Sequence, residues 1–382
     1  MKYDVIVVGL GAMGSAALYQ LSKKRLKILG IDKFSPPHEF GSSHGETRLT
    51  RQAIGEGTLY TPLVLRANEI WRQLEKESGN KLLHQCGGII YGDPSSDEII
   101  HDIKAGGFLR GTIKIAQEFN IDHELLEYSA LTKRFPQFKF KKSDLAYVEP
   151  GAGYLFPELC IKTQLQLATQ RGASILLNRE ISAISSTNSV VELETENQTL
   201  MASKVIVCAG AWMPKFFPPQ YAGLLKVYRQ NFCWFRMTKN VKTYNQKPVF
   251  MKLPSATEPL VYGFPEVSPG LGGKVASEQF DTTTSPDGYN KNLSSKEISR
   301  LHRIASNALN LDPEAVRSQA CIYTVSPDSN FIVDYSPVNR NIILASPCSG
   351  HGFKHSSAIG ELLAEMIVDC KTAVKELSLA RF

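Results

Sequence analysis

YDVIVV (residues 3–8) runs directly into GLGAMG (residues 9–14), and this stretch near the N-terminus decides the fold. The first six residues are almost continuously apolar, which is typical of a parallel strand that is buried on both faces. Residues 16–21 follow with the apolar positions of a helix, and residues 26–31 form a second apolar run that ends at Asp32. This order predicts a strand, a glycine turn, a helix and a second strand.

Three glycines and one acid in this unit have the spacing that a dinucleotide requires. Gly9 allows the tight turn, Gly11 lets the backbone approach a pyrophosphate, and Gly14 lets the helix pack closely on the strand. The helix N-terminus then presents free N–H groups and the positive end of its dipole to the phosphates. Asp32 lies 18 residues after Gly14, where its carboxylate can bind a ribose diol. The pattern by itself does not separate NAD from FAD.

The chain has 382 residues, more than one compact domain usually holds, so we expect two domains. Hydrophobic residues make up 43% and charged residues 21%, which excludes a disordered or fibrous chain. The apolar runs are far shorter than the roughly 20 residues of a membrane span, and the N-terminus lacks a signal-peptide pattern. We therefore expect a cytoplasmic protein that does not bind a membrane.

Charge and cysteine usage exclude further classes. The 43 Lys and Arg against 37 Asp and Glu give a net charge of +6, but these charges are scattered, which argues against a nucleic-acid partner. The seven cysteines are widely spaced and form no C-x-x-C pair, so we expect free thiols and neither a disulfide framework nor a zinc site. No residues have metal-ligand spacing.

The elements predict an α/β protein. We expect a Rossmann-like dinucleotide-binding domain, interrupted in sequence by a discontinuous substrate domain that is built on a mixed β-sheet. We assign residues 1–85, 146–220 and 320–382 to the first domain. Residues 86–145 and 221–319 form the second, because the longer of these segments has more prolines and aromatics and a strand-like alternation.

Three further motifs follow along the chain. They are DKFSPPH (residues 32–38) with GSSHGETRLTR (residues 41–51), CIYTVSPD (residues 321–328) with FIVD (residues 331–334), and SGHGFK (residues 349–354). In this order they resemble the monomeric sarcosine oxidase and N-methyltryptophan oxidase family, a group of FAD-dependent amine oxidases. The resemblance runs from residue 1 to the C-terminus and is weakest over about 90–150 and 235–300.

The resemblance implies an enzyme with FAD as its cofactor and a secondary amino acid, N-methyl or cyclic, as its substrate. Hydride would pass from the substrate to FAD, and O2 would then be reduced to hydrogen peroxide. It also implies a monomer. In this family a cysteine is bonded through sulfur to the 8α carbon of the flavin, and Cys321 occupies the matching position. For an isolated cysteine the alternative is a small buried thiol.

The resemblance also assigns three cationic side chains. Arg51 would bind the substrate carboxylate together with Lys354, and Arg48 would lie against the flavin. Arg48 and Arg51 are three residues apart, which on a helical turn puts both on one face. Lys274 matches a lysine that promotes oxygen reduction, which is physically reasonable because a cation stabilises negative charge developing on O2. The alternative for Lys274 is a surface lysine after a loop.

One position departs from the family. Four residues after this lysine the family usually has a histidine in the substrate pocket, whereas this chain has Glu278. A carboxylate there would repel a substrate carboxylate, or would bind a second amino group of the substrate. Simple sarcosine is therefore in doubt, and a larger or basic N-substituted amino acid is an alternative.

The predicted catalytic residues are Lys274, Arg51, Lys354, Tyr262, Tyr323 and His44. Among them the tyrosines match pocket aromatics, and His44, like His351, is given a supporting role because amine oxidation needs no strong base if the amine binds neutral. The predicted cofactor-binding residues are Gly9, Gly11, Ala12, Met13, Gly14, Asp32, Lys33, Ser42, Ser43, Thr47, Arg48, Ala209, Gly210, Cys321, Gly350, Gly352, Phe353 and Lys354.

Other functions stay open at this point. A flavin dehydrogenase would pass its electrons to an acceptor other than O2, and a non-catalytic flavin-binding protein would have lost turnover through changes such as Glu278. An NAD-dependent dehydrogenase is disfavoured because the chain has no second dinucleotide fingerprint.

Overall fold

The computed structural model describes residues 2–100, 103–187, 189–242 and 248–382. The α-helices are α1 (Ala12–Ser22), α2 (Tyr60–Ser78), α3 (Ala105–Glu118), α4 (Tyr128–Arg134), α5 (Pro157–Gln170), α6 (Ser295–Ala305) and α7 (Ser356–Val368). The strands are β1 (Lys2–Val8), β2 (Ile28–Ile31), β3 (Arg48–Thr50), β4 (Leu83–Gln85), β5 (Gly88–Gly92), β6 (Ile99–Ile100), β7 (Ile103–Lys104), β8 (Glu124–Glu127), β9 (Leu145–Glu149), β10 (Gly153–Leu155), β11 (Ser174–Leu176), β12 (Ala183–Ser186), β13 (Val191–Glu194), β14 (Thr199–Val207), β15 (Lys226–Met237), β16 (Val249–Lys252), β17 (Val261–Glu266), β18 (Gly273–Ser277), β19 (Leu311–Val325), β20 (Ile332–Tyr335) and β21 (Ile342–Ser346).

The first large sheet has the order β11-β2-β1-β14-β13-β12, with β21 also paired to β14 and β20 to β21. Its central pairs, β2 with β1, β1 with β14 and β14 with β21, are parallel. Residues 5–8 are all buried, as their continuous apolar character predicts. Helices α1, α5 and α7 pack on one face through a shared apolar core.

The turn between β1 and α1 tolerates only glycine at two of its positions. Gly9 has φ +84°, and a Cβ on it would lie 2.5 Å from the carbonyl oxygen of Cys208. A Cβ on Gly14 would lie 1.7 Å from the carbonyl oxygen of Gly9. Both distances are far inside van der Waals contact, so the helix approaches the strand this closely only without side chains.

The second large sheet has the order β19-β15-β18-β17-β16-β5-β9-β8. All of its pairs are antiparallel except that of β16 with β5, so it is a mixed sheet. The predicted fold class, α/β with a Rossmann-like part and a mixed sheet, is confirmed. The domain limits stay a prediction. Two of them, 146 and 320, fall inside β9 and β19, which are strands of the second sheet.

A small antiparallel sheet, β3-β10-β4, carries the first predicted arginine. The expectation that Arg48 and Arg51 share a helical turn is wrong, because Arg48 lies in strand β3 opposite Leu155 and Arg51 follows the strand end. Pairing with β10 supplies hydrogen-bond partners that a local helical turn would otherwise provide.

Among the described residues, no helix combines the length and apolar character needed to cross a bilayer.

Candidate active site

A large cavity opens at the carboxyl ends of the parallel strands, which is where ligands bind in sheets of this type. It has about 1400 Å³ of space when its mouth, which is open to solvent, is included. Val8, Asp32, Cys208 and Ser346 mark the strand ends on its wall. The predicted cofactor-binding residues that line it are Gly9, Gly11, Ala12, Met13, Asp32, Lys33, Ser42, Ser43, Arg48, Ala209, Gly210, Gly350, Gly352 and Phe353. Gly14 lies behind this wall, where it permits the close packing described above.

The groups on this wall suit a dinucleotide. Helix α1 begins at the cavity, and its N-cap, Gly11, supplies no side-chain hydrogen bond, so the first N–H groups remain available to a phosphate. The carboxylate of Asp32 accepts from the backbone N–H of Leu10 at 2.6 Å and of Phe34 at 2.7 Å. Burial raises the pKa of Asp32, and these two N–H groups oppose the rise. The carboxylate is thus held in a fixed orientation beside the helix terminus.

A smaller cavity of about 730 Å³ meets the first one. Four residues line both cavities: Arg48, Tyr323, Gly350 and Phe353. The smaller cavity brings together the other predicted residues Thr47, Arg51, Tyr262, Lys274, Cys321 and Lys354. A ligand in the large cavity would therefore border directly on one in the small cavity.

Arg51 is buried and already has an anionic partner. Its Nη2 lies 2.6 Å and 2.8 Å from the two carboxylate oxygens of Glu56, and its Nη1 donates to the carbonyl oxygen of Ala53 at 2.8 Å. The side chains of Arg51 and Glu56 are only 3% and 5% exposed. A single nitrogen, Nη2, therefore holds both oxygens of Glu56, while Nη1 is bonded to the backbone and Nε has no hydrogen-bond partner among the described residues.

Lys354 lies in the same cavity although it is 303 positions away in sequence. Its Nζ donates to the carbonyl oxygen of His351 at 2.8 Å. Burial lowers the pKa of Lys354 to about 7, with the positive charge of Arg51 lowering it further and Glu56 and Glu278 raising it. This lysine therefore changes charge near neutral pH.

Lys274 is held in a buried polar and aromatic cage. Its Nζ lies 2.6 Å from the carbonyl oxygen of Gly45, 3.0 Å from that of Thr47 and 3.4 Å from the Thr47 hydroxyl. The ring centroids of Phe232, Phe264 and Trp234 lie 4.6, 5.0 and 5.7 Å away. Burial and Arg48 lower the pKa of Lys274 well below its usual value. Three oxygen acceptors nevertheless match the three N–H bonds of an ammonium group, and the ring faces also favour a cation.

Cys321, Tyr262 and Tyr323 line the small cavity together with Arg48. Cys321 is 3% exposed, and burial raises the pKa of its thiol while Arg48 and Lys274 lower it. Cys321 and Tyr323 alternate along β19, so both face the cavity. The hydroxyl groups of Tyr262 and Tyr323 lie 2.8 Å apart, and burial raises the pKa of both.

His44 lines neither cavity. It is fully buried, and neither ring nitrogen has a hydrogen-bond partner. Burial and the charge of Arg48 lower the pKa of His44 to about 3, so the ring is neutral at physiological pH. The prediction of His44 as a catalytic residue therefore has no support from its position, because both ring nitrogens are buried away from the two cavities.

Three carboxylates of the site escaped prediction from the sequence. Glu56 binds Arg51, as described above. Glu149 is 1% exposed and accepts from the backbone N–H of Gln52 at 2.7 Å, that of Ala53 at 3.2 Å and the Tyr147 hydroxyl at 2.8 Å. It thereby holds the segment that follows Arg51.

Glu158, near the start of α5, accepts from the backbone N–H of Gly45 at 2.6 Å and of Glu46 at 3.1 Å. Only Glu56 carried a signal in the sequence, because it lies five residues after a predicted substrate-binding arginine. Glu149 and Glu158 lie about a hundred positions away from their partners, in segments without a motif.

Comparison with known proteins gives a consistent result. The model of a family described as FAD dependent oxidoreductase matches residues 4–366. Monomeric sarcosine oxidase from Bacillus sp. (strain B-0618) is 35% identical over 376 residues, covering 97% of this chain and 93% of that protein. N-methyl-L-tryptophan oxidase from Yersinia pestis (strain Pestoides F) is 34% identical over 391 residues, covering 100% of both.

Among solved structures, the open form of NikD, an amino acid oxidase essential for nikkomycin biosynthesis, gives a TM-score of 0.84. The superposition covers 99% of this chain and 97% of the NikD chain. Because the sequence identity is 20%, the similarity shows a shared fold only.

The charge state of Lys354 predicts pH-dependent binding of carboxylates in the small cavity. The lysine is about half charged at its pKa of about 7 and almost fully charged one pH unit below it. The charge is lost as the pH rises, so the affinity for acetate should fall by up to about tenfold per pH unit above the pKa. Calorimetric titration from pH 6 to 9 measures this. Lys354→Met should bind weakly with a flat profile, and Lys354→Arg should bind with a flat profile because guanidinium stays charged. An unchanged profile in Lys354→Met would assign the titration to another group.

Proposed function

The chain belongs to the FAD-dependent oxidoreductase family, and on that premise we propose that it is a flavin-dependent oxidase of secondary amino acids. One observation carries the proposal: the guanidinium of Arg51 and the amino group of Lys354 are both buried in the small cavity that borders the dinucleotide cavity. The two relatives are named for N-methyl amino acids, and N-methyl or cyclic amino acids are the substrates we propose here.

FAD would be held by the large cavity, with its pyrophosphate at the N-terminus of α1 and a ribose diol at Asp32. Bound there, FAD would accept hydride from the carbon attached to the substrate nitrogen. It would then pass the two electrons to O2, which is reduced to hydrogen peroxide. Arg48, which lines both cavities, would lie between cofactor and substrate.

The substrate carboxylate would bind the fork of Arg51 and the ammonium group of Lys354. Because Glu56 already contacts Arg51 at 2.6 Å, the incoming carboxylate would displace or share this partner. Exchange of one carboxylate for another keeps the buried guanidinium paired but adds a second buried carboxylate to the site. The positive charge of Lys354, which lies within electrostatic range of Glu56, then balances that second carboxylate. The amine would bind neutral, since His44 lies outside the cavity and no strong base is required.

The function is tested by adding a panel of N-methyl and cyclic amino acids to purified holoenzyme. An oxidase should lose its flavin colour anaerobically with at least one of them and should release hydrogen peroxide in air. Arg51→Ala should weaken substrate binding by roughly 2–4 kcal/mol, and Arg51→Lys should recover only part because it lacks the fork. Flavin reduction without peroxide in air would identify a dehydrogenase, and no reduction by any compound would identify a non-catalytic flavoprotein.

We propose that the flavin is covalently bound through Cys321. Its thiol lines the small cavity, and the nearby charges of Arg48 and Lys274 favour the reactive thiolate against the effect of burial. After acid precipitation the yellow colour should therefore stay with the protein, and Cys321→Ala should release it. Cys348→Ala is the matched control, because it removes a thiol that also lines the proposed cofactor cavity but that the family motif does not assign to the link. The assignment would be disproved if the wild-type protein released all of its yellow colour into the supernatant. It would also be disproved if the flavin of Cys321→Ala could not be extracted.

Lys274 is proposed to serve O2 rather than the amino acid, since its caged cation can stabilise negative charge that develops on oxygen. Lys274→Met should slow reoxidation of the reduced enzyme about a hundredfold, while anaerobic reduction by substrate changes much less. Stopped-flow spectroscopy separates the two half-reactions. Lys354→Met is the control, and it should instead slow the anaerobic reduction of the flavin by the amino acid. Equal losses in both half-reactions of Lys274→Met would mean that it acts only by anchoring residues 45–47.

A further inference from the structure

Strand β18 and Glu278, the residue that follows it, present a row of side chains to the small cavity. Lys274, Ala276 and Glu278 alternate along the chain, and all three line the cavity. Residues that pair with this row across neighbouring strands lie on the same face of the sheet, as Tyr262 does opposite Ala276. At about 3.3 Å per residue, Lys274 and Glu278 lie at opposite ends of the row, on the order of 13 Å apart. The cavity thus has a cation at one end of this wall and an acid at the other.

The carboxylate of Glu278 changes the pKa of neighbouring groups in the cavity. The charge of Glu278 contributes to raising the pKa of Tyr262, Tyr323 and Lys354, after the larger effect of burial on the tyrosines. It therefore lies within electrostatic range of the tyrosine pair and of one carboxylate-binding lysine. This is the part of the cavity that a substrate bound to Arg51 and Lys354 would reach with its side chain or its N-substituent.

Besides the tyrosine pair and Lys354, the small cavity has apolar lining residues. Met251 and Leu260 line the same cavity, and the Ser277 hydroxyl donates to the carbonyl oxygen of Leu260 at 2.6 Å, which ties that residue to the end of β18. Apolar side chains suit a short aliphatic chain, and a carboxylate beyond them suits a cation at its end. Glycine-sized substrates would leave this surface without contacts.

We propose that Glu278 binds a second, cationic nitrogen of the substrate, so that the preferred substrates are secondary amino acids with an aliphatic chain ending in an ammonium group. This rests on the proposed function for the carboxylate and amine positions. Glu278 is then a specificity-determining residue: it contacts the distal cation and takes no part in hydride transfer. A charge-assisted contact of this kind corresponds to about a 10- to 100-fold preference over a neutral chain.

Binding is tested first, without turnover. The probes are 6-aminohexanoate, which has the carboxylate-to-ammonium spacing of lysine but no α-amine, and heptanoate, in which a methyl group replaces the ammonium group. Calorimetric titration of the holoenzyme should show tighter binding of 6-aminohexanoate, and Glu278→Gln should abolish the difference. Asp281→Asn is the control, because it removes an equal charge from an exposed side chain that does not line the cavity. Equal affinities in the wild type would overturn the proposal.

Turnover is tested with Nα-methyl-L-lysine and Nα-methyl-2-aminoheptanoate. Glu278→Gln should lower kcat/KM about 10- to 100-fold for the first and leave the second unchanged or improved. Equal changes for both would mean that Glu278 only tunes Lys354, and the proposal would be wrong while the oxidase function stands. If no amino acid reduces the flavin but 6-aminohexanoate still binds in a Glu278-dependent manner, the oxidase function fails and the recognition of the cation stands.

Discussion

Two oppositely charged side chains hold the backbone of residues 45–47 from both sides, and the site is built around this clamp. Lys274 of the second sheet donates to the carbonyl groups of Gly45 and Thr47, while Glu158 of α5 accepts from the N–H groups of Gly45 and Glu46. Gly45 and Glu46 have φ values of +96° and +72°, and for a glutamate this left-handed conformation costs on the order of 1 kcal/mol. The hydrogen bonds on both sides offset that cost. They also fix the start of the segment that carries the two arginines.

Charge burial explains why so many side chains around the site are already paired. An ion in a protein interior costs several kcal/mol unless partners compensate it, and the requirement is strictest where cavities are lined by buried groups. Arg51 has Glu56, Lys274 has three oxygen atoms, and Glu149 has two backbone N–H groups and a hydroxyl. Such a site is largely formed before a ligand arrives. Binding then exchanges partners at a fixed position, which places the substrate accurately at little further cost in entropy.

Local sequence predicted the first sheet well because its signals are short-range. A continuous apolar run, glycines that exclude any Cβ and an acid at the next strand end depend on neighbours within about thirty residues. The alternation in the middle of the chain likewise indicated a mixed sheet. The same reasoning was wrong for Arg48 and Arg51, where β10, a hundred residues later, turns the segment into a strand. Two side chains that are three residues apart share a face only in a helix, so their spacing predicts nothing until it is known whether the segment pairs with another strand.

The sequence by itself determined the α/β class, the dinucleotide turn and the family, because each depends on residue types in a fixed local order. Of the site residues that it predicted, all except Gly14 and His44 line one of the two cavities, although most of them come from motifs only a few residues long. Only the tertiary structure decided that Arg51 is paired with Glu56 and that Glu278 continues the row of Lys274. It also decided that Glu149 holds the backbone of residues 52–53 and that Glu158 holds that of residues 45–46. These relations join strands, helices and loops that are far apart in the chain. They follow from sheet register and from the need to pair every buried charge, and neither is encoded within a single segment.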